Sequence, residues 1–112
     1  MKKVIYNIKN ERGNNVANQF LIIEGTDYTF ISYQTTIAVF KAASATIFIN
    51  KSVFDYSRTT TRHFLNYLEN VLTAEKPTRK QVENWIKQGY IPSSENCYHT
   101  DIDIKLVDEE EL

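Results

Sequence analysis

The spacing of apolar residues changes midway along this chain, and that change orders what it can fold into. As far as residue 50 the apolar residues lie in short runs rich in β-branched and aromatic types: 3–8, 18–24, 28–33, 35–40 and 45–50. Such runs favour a pleated, half-buried backbone. From residue 60 the spacing becomes helical, with Phe64, Leu68, Val71 and Leu72 at i, i+4, i+7 and i+8 along one face. Strands first and helices grouped afterwards, without strand–helix alternation, specify an α+β fold with an antiparallel sheet. The expectation is four to five strands packed by two helices, over about 60–72 and 79–88.

Turn chemistry supports these boundaries. Residues 10–15 read Asn-Glu-Arg-Gly-Asn-Asn, types that accept turn conformations cheaply. Gly25-Thr26-Asp27 makes 18–33 a hairpin. No glycine or proline marks residues 41–45, whose alanines suit a short helix equally well. Ser57 or one of Thr59, Thr60 and Thr61 is the expected cap of the first helix. Pro77 stops the chain, and Thr78 with Gln81 forms a capping box for the second helix, which Gly89 and Pro92 close. Residues 93–100 read as loop. Ile102, Ile104 and Leu106 then alternate as one side of a last strand at the sheet edge. The domain expected is 1–107, followed by a solvated acidic tail, 108–112.

The chain of 112 residues has the size of one domain, and its 42% hydrophobic content is enough for a core. A net charge of −1 is unlike the basic field of a dedicated nucleic-acid binder. The charge is uneven: seven Lys/Arg against four acids in 1–60, then six against ten in 61–112. No apolar stretch suits a signal peptide or a membrane span, so the expected location is the cytoplasm, of a bacterial host on the resemblance given below.

Catalytic signatures are missing: no Gly-x-Ser-x-Gly, no Gly-rich phosphate loop, no His-Glu-x-x-His. A nucleophile–base pair from Cys97 with His63 or His99 rests on residue type alone. No metal site and no cofactor is expected. Polarity concentrates in residues 55–63, Asp-Tyr-Ser-Arg-Thr-Thr-Thr-Arg-His, which lead into the first helix. Free N–H groups there suit an anion, and Arg58 and Arg62, four apart, share a helical face. The structural alternative is an ordinary cap with Asp55 paired to an arginine and Tyr56 packed on the sheet. The candidate binding residues are Tyr33, Tyr56, Arg58, Thr60, Arg62 and His63. Tyr6, Tyr33, Tyr67, Tyr90 and Tyr98 are the tyrosines from which exposed ones are expected.

The segments Ser32-Tyr33-Gln34-Thr35-Thr36-Ile37-Ala38 and Asp55-Tyr56-Ser57-Arg58-Thr59-Thr60 resemble a family of small proteins of unknown function from phages, mobile elements and their bacterial hosts. The likeness spans roughly residues 28–70. It departs at 41–45 and has no counterpart in 74–112. It implies a setting in which small non-enzymatic proteins bind and block host proteins, CRISPR nucleases among them. The expected function is therefore a binding protein that engages a host protein. The alternative is a nucleic-acid accessory contacting phosphates through Arg58 and Arg62.

Overall fold

The computed structural model describes residues 2–10 and 12–112; Glu11, read above as part of the first turn, lies outside the described residues. Five strands form an antiparallel meander: β1 (Lys3–Lys9), β2 (Asn15–Glu24), β3 (Asp27–Ser32), β4 (Thr35–Lys41) and β5 (Thr46–Asn50). Two helices follow, α1 (Arg58–Val71) and α2 (Arg79–Gln88), then β6 (Tyr90–Ile91) and β7 (Ile102–Val107). The sheet order is β1-β2-β3-β4-β5-β7-β6. The fold is thus α+β, with seven strands in place of the four or five expected.

The extra strands come from the end of the chain, and so does a change of direction. β7 pairs parallel with β5, Ile47 opposite Ile104. It lies inside the sheet and not at its edge, because the two-residue β6 pairs outside it through Ile91 and Ile102. A parallel neighbour needs a crossover, and the two helices supply it. Periodicity reports which face of a strand is buried but not which neighbour it takes, so Ile102 and Ile104 read alike for either place.

Turns account for the remaining differences. Gly25, at φ +62°, takes the first place of a two-residue loop, where a type II′ turn needs positive φ. Between β4 and β5 a single 3₁₀ turn (Ala42–Ser44) ends on Ala45 at φ 49°, a left-handed alanine standing where glycine was missing. Strand β2 begins at Asn15, before the expected 18. Asn18, at φ 65°, sits in an irregular register between β1 and β2 that lets the strand continue through it. Ser57 caps α1, its Oγ accepting from the Thr60 N–H, which starts the helix at Arg58 and not at Thr60. The capping box and left-handed Gly89 of α2 are formed as read.

Both helices serve one face of the sheet. Phe30, Ala38, Phe40, Ile47 and Ile49 on the strands meet Phe64 and Leu68 of α1, Leu72 just after it and Val82 of α2, all buried. Tyr67 stacks on Phe30 with ring centroids 5.6 Å apart. Its hydroxyl donates to the Tyr28 carbonyl at 2.6 Å, and Tyr67 is buried, whereas Tyr6, Tyr33, Tyr90 and Tyr98 of the same expected group are the exposed ones. Burial pushes the Tyr67 phenol well above the ordinary range. The tail is not simply solvated. Lys51 pairs with Asp108, Glu109–Glu111 form a 3₁₀ turn, and Leu112 rests beside Thr29, Val39 and Phe48 on the uncovered face. No helix among the described residues is long and apolar enough to cross a membrane.

Candidate functional site

The six candidate residues gather at one end of the sheet, where β3 turns into β4 and α1 begins. Tyr33 and Gln34 form that turn, joining the paired residues Ser32 and Thr35. Their φ angles are 51° and 66°. Two positive angles at the centre of a two-residue loop describe a type I′ turn, which normally takes Asn-Gly. A side chain at these angles crowds the following carbonyl. The turn is held by Tyr33 N–H donating to the Asn18 carbonyl at 2.8 Å, itself on a left-handed residue. It is held again by a 2.8 Å bond between the Ser32 and Thr60 hydroxyls. The helix start therefore clamps the turn, and the Tyr33 ring projects from it 53% exposed.

Tyr56 reaches the same end by another route. Asn50, at the close of β5, donates to the Thr36 carbonyl and to the Tyr56 hydroxyl, and its own carbonyl oxygen accepts from the Ser52 N–H. The ring remains 39% exposed while its hydroxyl reaches Asn50 at the end of β5. Arg58 opens α1 and Arg62 follows one turn later, both exposed. Among the described residues neither arginine pairs with Asp55: the ion pairs are Lys41–Asp27, Lys51–Asp108 and Arg79–Glu83.

Thr60 and His63 face inward and are closed to a partner. Thr60 is committed to Ser32 and Ser57. His63 is 3% exposed, and neither ring nitrogen has a hydrogen-bond partner among the described residues. Burial, with Arg62 and Lys76 adding like charge, holds its pKa below the usual histidine value. The structure thus divides the candidate set into four residues that present groups to solvent and two that hold the helix to the sheet.

Gln19 belongs to this corner and went unrecognised in the sequence. It is fully buried, pairs across β2–β3 with Ser32, and neither amide atom has a partner among the described residues. The signal was there: Gln19 shares the parity of Leu21 and Ile23, the inward positions of β2. Elsewhere, Cys97 is exposed, and His99 takes a left-handed φ of 57° within a turn. Their side chains therefore do not share one side of an extended strand.

These features define an α+β protein built on one mixed sheet, with two helices on one face and an exposed tyrosine–arginine end. By its sequence the chain belongs to the Family of unknown function (DUF8033), whose model matches residues 4–84. That match runs from β1 into α2, beyond the 28–70 of the earlier resemblance, and stops short of β6 and β7. No curated protein and no solved structure matches the chain.

Proposed function

We propose that this chain is a non-enzymatic binding protein that engages a macromolecular partner through the end of the sheet presenting Tyr33, Tyr56, Arg58 and Arg62. The observation that carries this reading is the Tyr33–Gln34 turn. Two adjacent non-glycine residues sit in the left-handed region, clamped from both sides, with the aromatic ring turned to solvent. Backbone strain of this kind costs about 1–3 kcal/mol per residue and concentrates at functional sites. Tyrosine and arginine are also the types enriched where partners bind. The likeness of 32–38 and 55–60 to small phage and mobile-element proteins supports a host protein in the bacterial cytoplasm as the partner. It also supports inhibition of host defence, such as blocking a CRISPR nuclease, as the outcome.

The test is affinity capture from bacterial lysate with the full chain, against Tyr33→Ala and the pair Arg58→Ala with Arg62→Ala. Each variant is to be checked for an unchanged melting temperature. The reading expects a partner retained by the wild type and lost from both variants. A partner held equally by all three, or none held at micromolar affinity, refutes it.

The second reading, a nucleic-acid accessory, is favoured by one observation: Arg58 and Arg62 share an exposed helical face without an ion pair among the described residues. Two phosphate contacts give a salt slope near −1.8, so affinity falls roughly tenfold between 50 and 200 mM salt. Oligonucleotide binding that is indifferent to salt removes this reading.

A further inference from the structure

The meander leaves one long backbone edge without a neighbour. β1 ends the sheet on its side, and β2 is its one strand partner among the described residues. Register tells which of its polar groups stay open. Gly25 and Thr26 form a two-residue loop, so Glu24 and Asp27, which close it, exchange hydrogen bonds. Bonded and non-bonded pairs then alternate along antiparallel strands. Ile22 and Phe20 therefore bond to β3, while Ile23 and Leu21 turn the other way and bond to Val4 and Tyr6. The N–H and C=O groups of Lys3, Ile5 and Asn7 are left pointing outward. No loop or turn backbone satisfies them among the described residues.

Such an edge is a template for another strand, and its side chains select which one. Its centre is apolar on both faces: Ile5 is 59% and Tyr6 51% exposed, and neighbours in a strand point to opposite faces. Its ends are basic. Lys2 and Lys3 precede the apolar pair and Lys9 follows it, all exposed and none in an ion pair among the described residues. Glu24 stands opposite Lys3 without pairing to it. These charges make a second copy a poor occupant. Antiparallel pairing of two β1 strands about Tyr6 sets Lys3 opposite Lys9, and pairing about Ile5 brings Lys9 to the end that carries Lys2 and Lys3. Like charges across strands are destabilising, and opposite charges stabilise.

We propose that the open edge of β1 receives an extended segment of a partner protein as an eighth strand, apolar at its centre and acidic at both ends. The outward groups of Lys3, Ile5 and Asn7 supply the main-chain bonds, which give affinity without regard to sequence. Ile5 and Tyr6 each gain an apolar neighbour on their own face, and the lysines meet the acidic ends. Tyr33, Tyr56, Arg58 and Arg62 take no part in this edge, so either surface can fail without the other.

A labelled, end-blocked peptide, Asp-Glu-Thr-Val-Ile-Thr-Glu-Asp, titrated with the full chain to about 500 μM and followed by fluorescence anisotropy, reads the association. The chain should bind it, and bind the same centre flanked by lysines about tenfold more weakly or worse. Ile5→Pro removes an outward donor and sets a ring in the added strand's place while every β1–β2 bond remains. Affinity should fall about tenfold or more with circular dichroism unchanged. Ile5→Val keeps the donor and should bind within about threefold of the wild type. Lys3→Glu with Lys9→Glu, both exposed positions, should reverse the preference between the two peptides, and carries the test if the proline variant does not fold. No binding of the acidic peptide, equal binding of both peptides, or a charge reversal that leaves the preference as it was overturns the proposal. So does indifference to Ile5→Pro in a folded chain. Sedimentation of the chain alone checks the other occupant: a dimer that Ile5→Pro dissolves gives the edge to a second copy and overturns the proposal as well.

Discussion

Replacing Tyr33 with Asn and Gln34 with Gly changes two residues in the turn that joins β3 to β4 and leaves its hydrogen bonds in place. The Asn18 carbonyl still receives a backbone N–H from position 33, and Ser32 still meets Thr60. What changes is the cost of positive φ, set at 51° and 66°. Each left-handed side chain costs about 1–2 kcal/mol, much less for Asn and nothing for Gly. Against this, glycine adds about 0.5–1 kcal/mol of unfolded-state entropy. Tyr33 is 53% exposed, so the packing lost with its ring is small. The net gain is about 1–2 kcal/mol, worth roughly 5–10 °C in melting temperature for a domain of this size. Thermal and urea denaturation should show a higher midpoint with an unchanged urea slope, since the surface exposed on unfolding is the same. Partner capture should fall at the same time, as expected where a strained position serves binding. A stability that drops or stays level refutes the reasoning, for it would mean that the turn stores no strain.

Two further outcomes test the corner beneath that turn. Thr60→Val removes the hydroxyl that bonds Ser32 and leaves the Ser32 hydroxyl buried without a partner, at a cost of about 1–3 kcal/mol; adding Ser32→Ala should recover most of it. A double-mutant cycle read by urea midpoints gives the coupling, and simple additivity would rule the clamp out. His63 is neutral in the folded chain because burial lowers its pKa, whereas the unfolded chain takes up the proton below about pH 6.5. The unfolded state then binds more protons, so the histidine's contribution is intact above that pH and erodes as pH falls from there toward the depressed native value. His63→Met should flatten this part of the stability profile between about pH 7 and 5, and an unchanged profile would place the titration elsewhere.

What was legible in the sequence followed from local chemistry. The helical spacing from residue 60, the Thr78–Gln81 capping box and the glycine at 89 each act within one or two turns of chain; the last two were found where read, and the first helix begins two residues earlier, at Arg58. What was not legible depended on neighbours far along the chain. The pattern of β7 is the same for an edge as for an interior place, and only the crossover through both helices put it beside β5. Ala45, Tyr33 and Gln34 hide their turns because non-glycine residues adopt left-handed angles only when tertiary contacts impose them. The polar run 55–63 announced a site, but its types could not separate Arg58 and Arg62, which face solvent, from Thr60 and His63, which face the sheet. That division depends on the helix starting at Arg58, a fact settled by Ser57 and fixed in space by Ser32.

The same contacts explain why turn and helix start have to be considered together. Ser32 and Thr60 are 28 residues apart, and their bond is where the two resembling segments, 32–38 and 55–60, touch. A Ser-Tyr turn without the Asp-Tyr-Ser-x-Thr-Thr cap would lose the hydroxyl that anchors its strand. The cap without the turn would bury Thr60 against nothing. Pairing across space gives a physical reason for the two segments to occur in one chain.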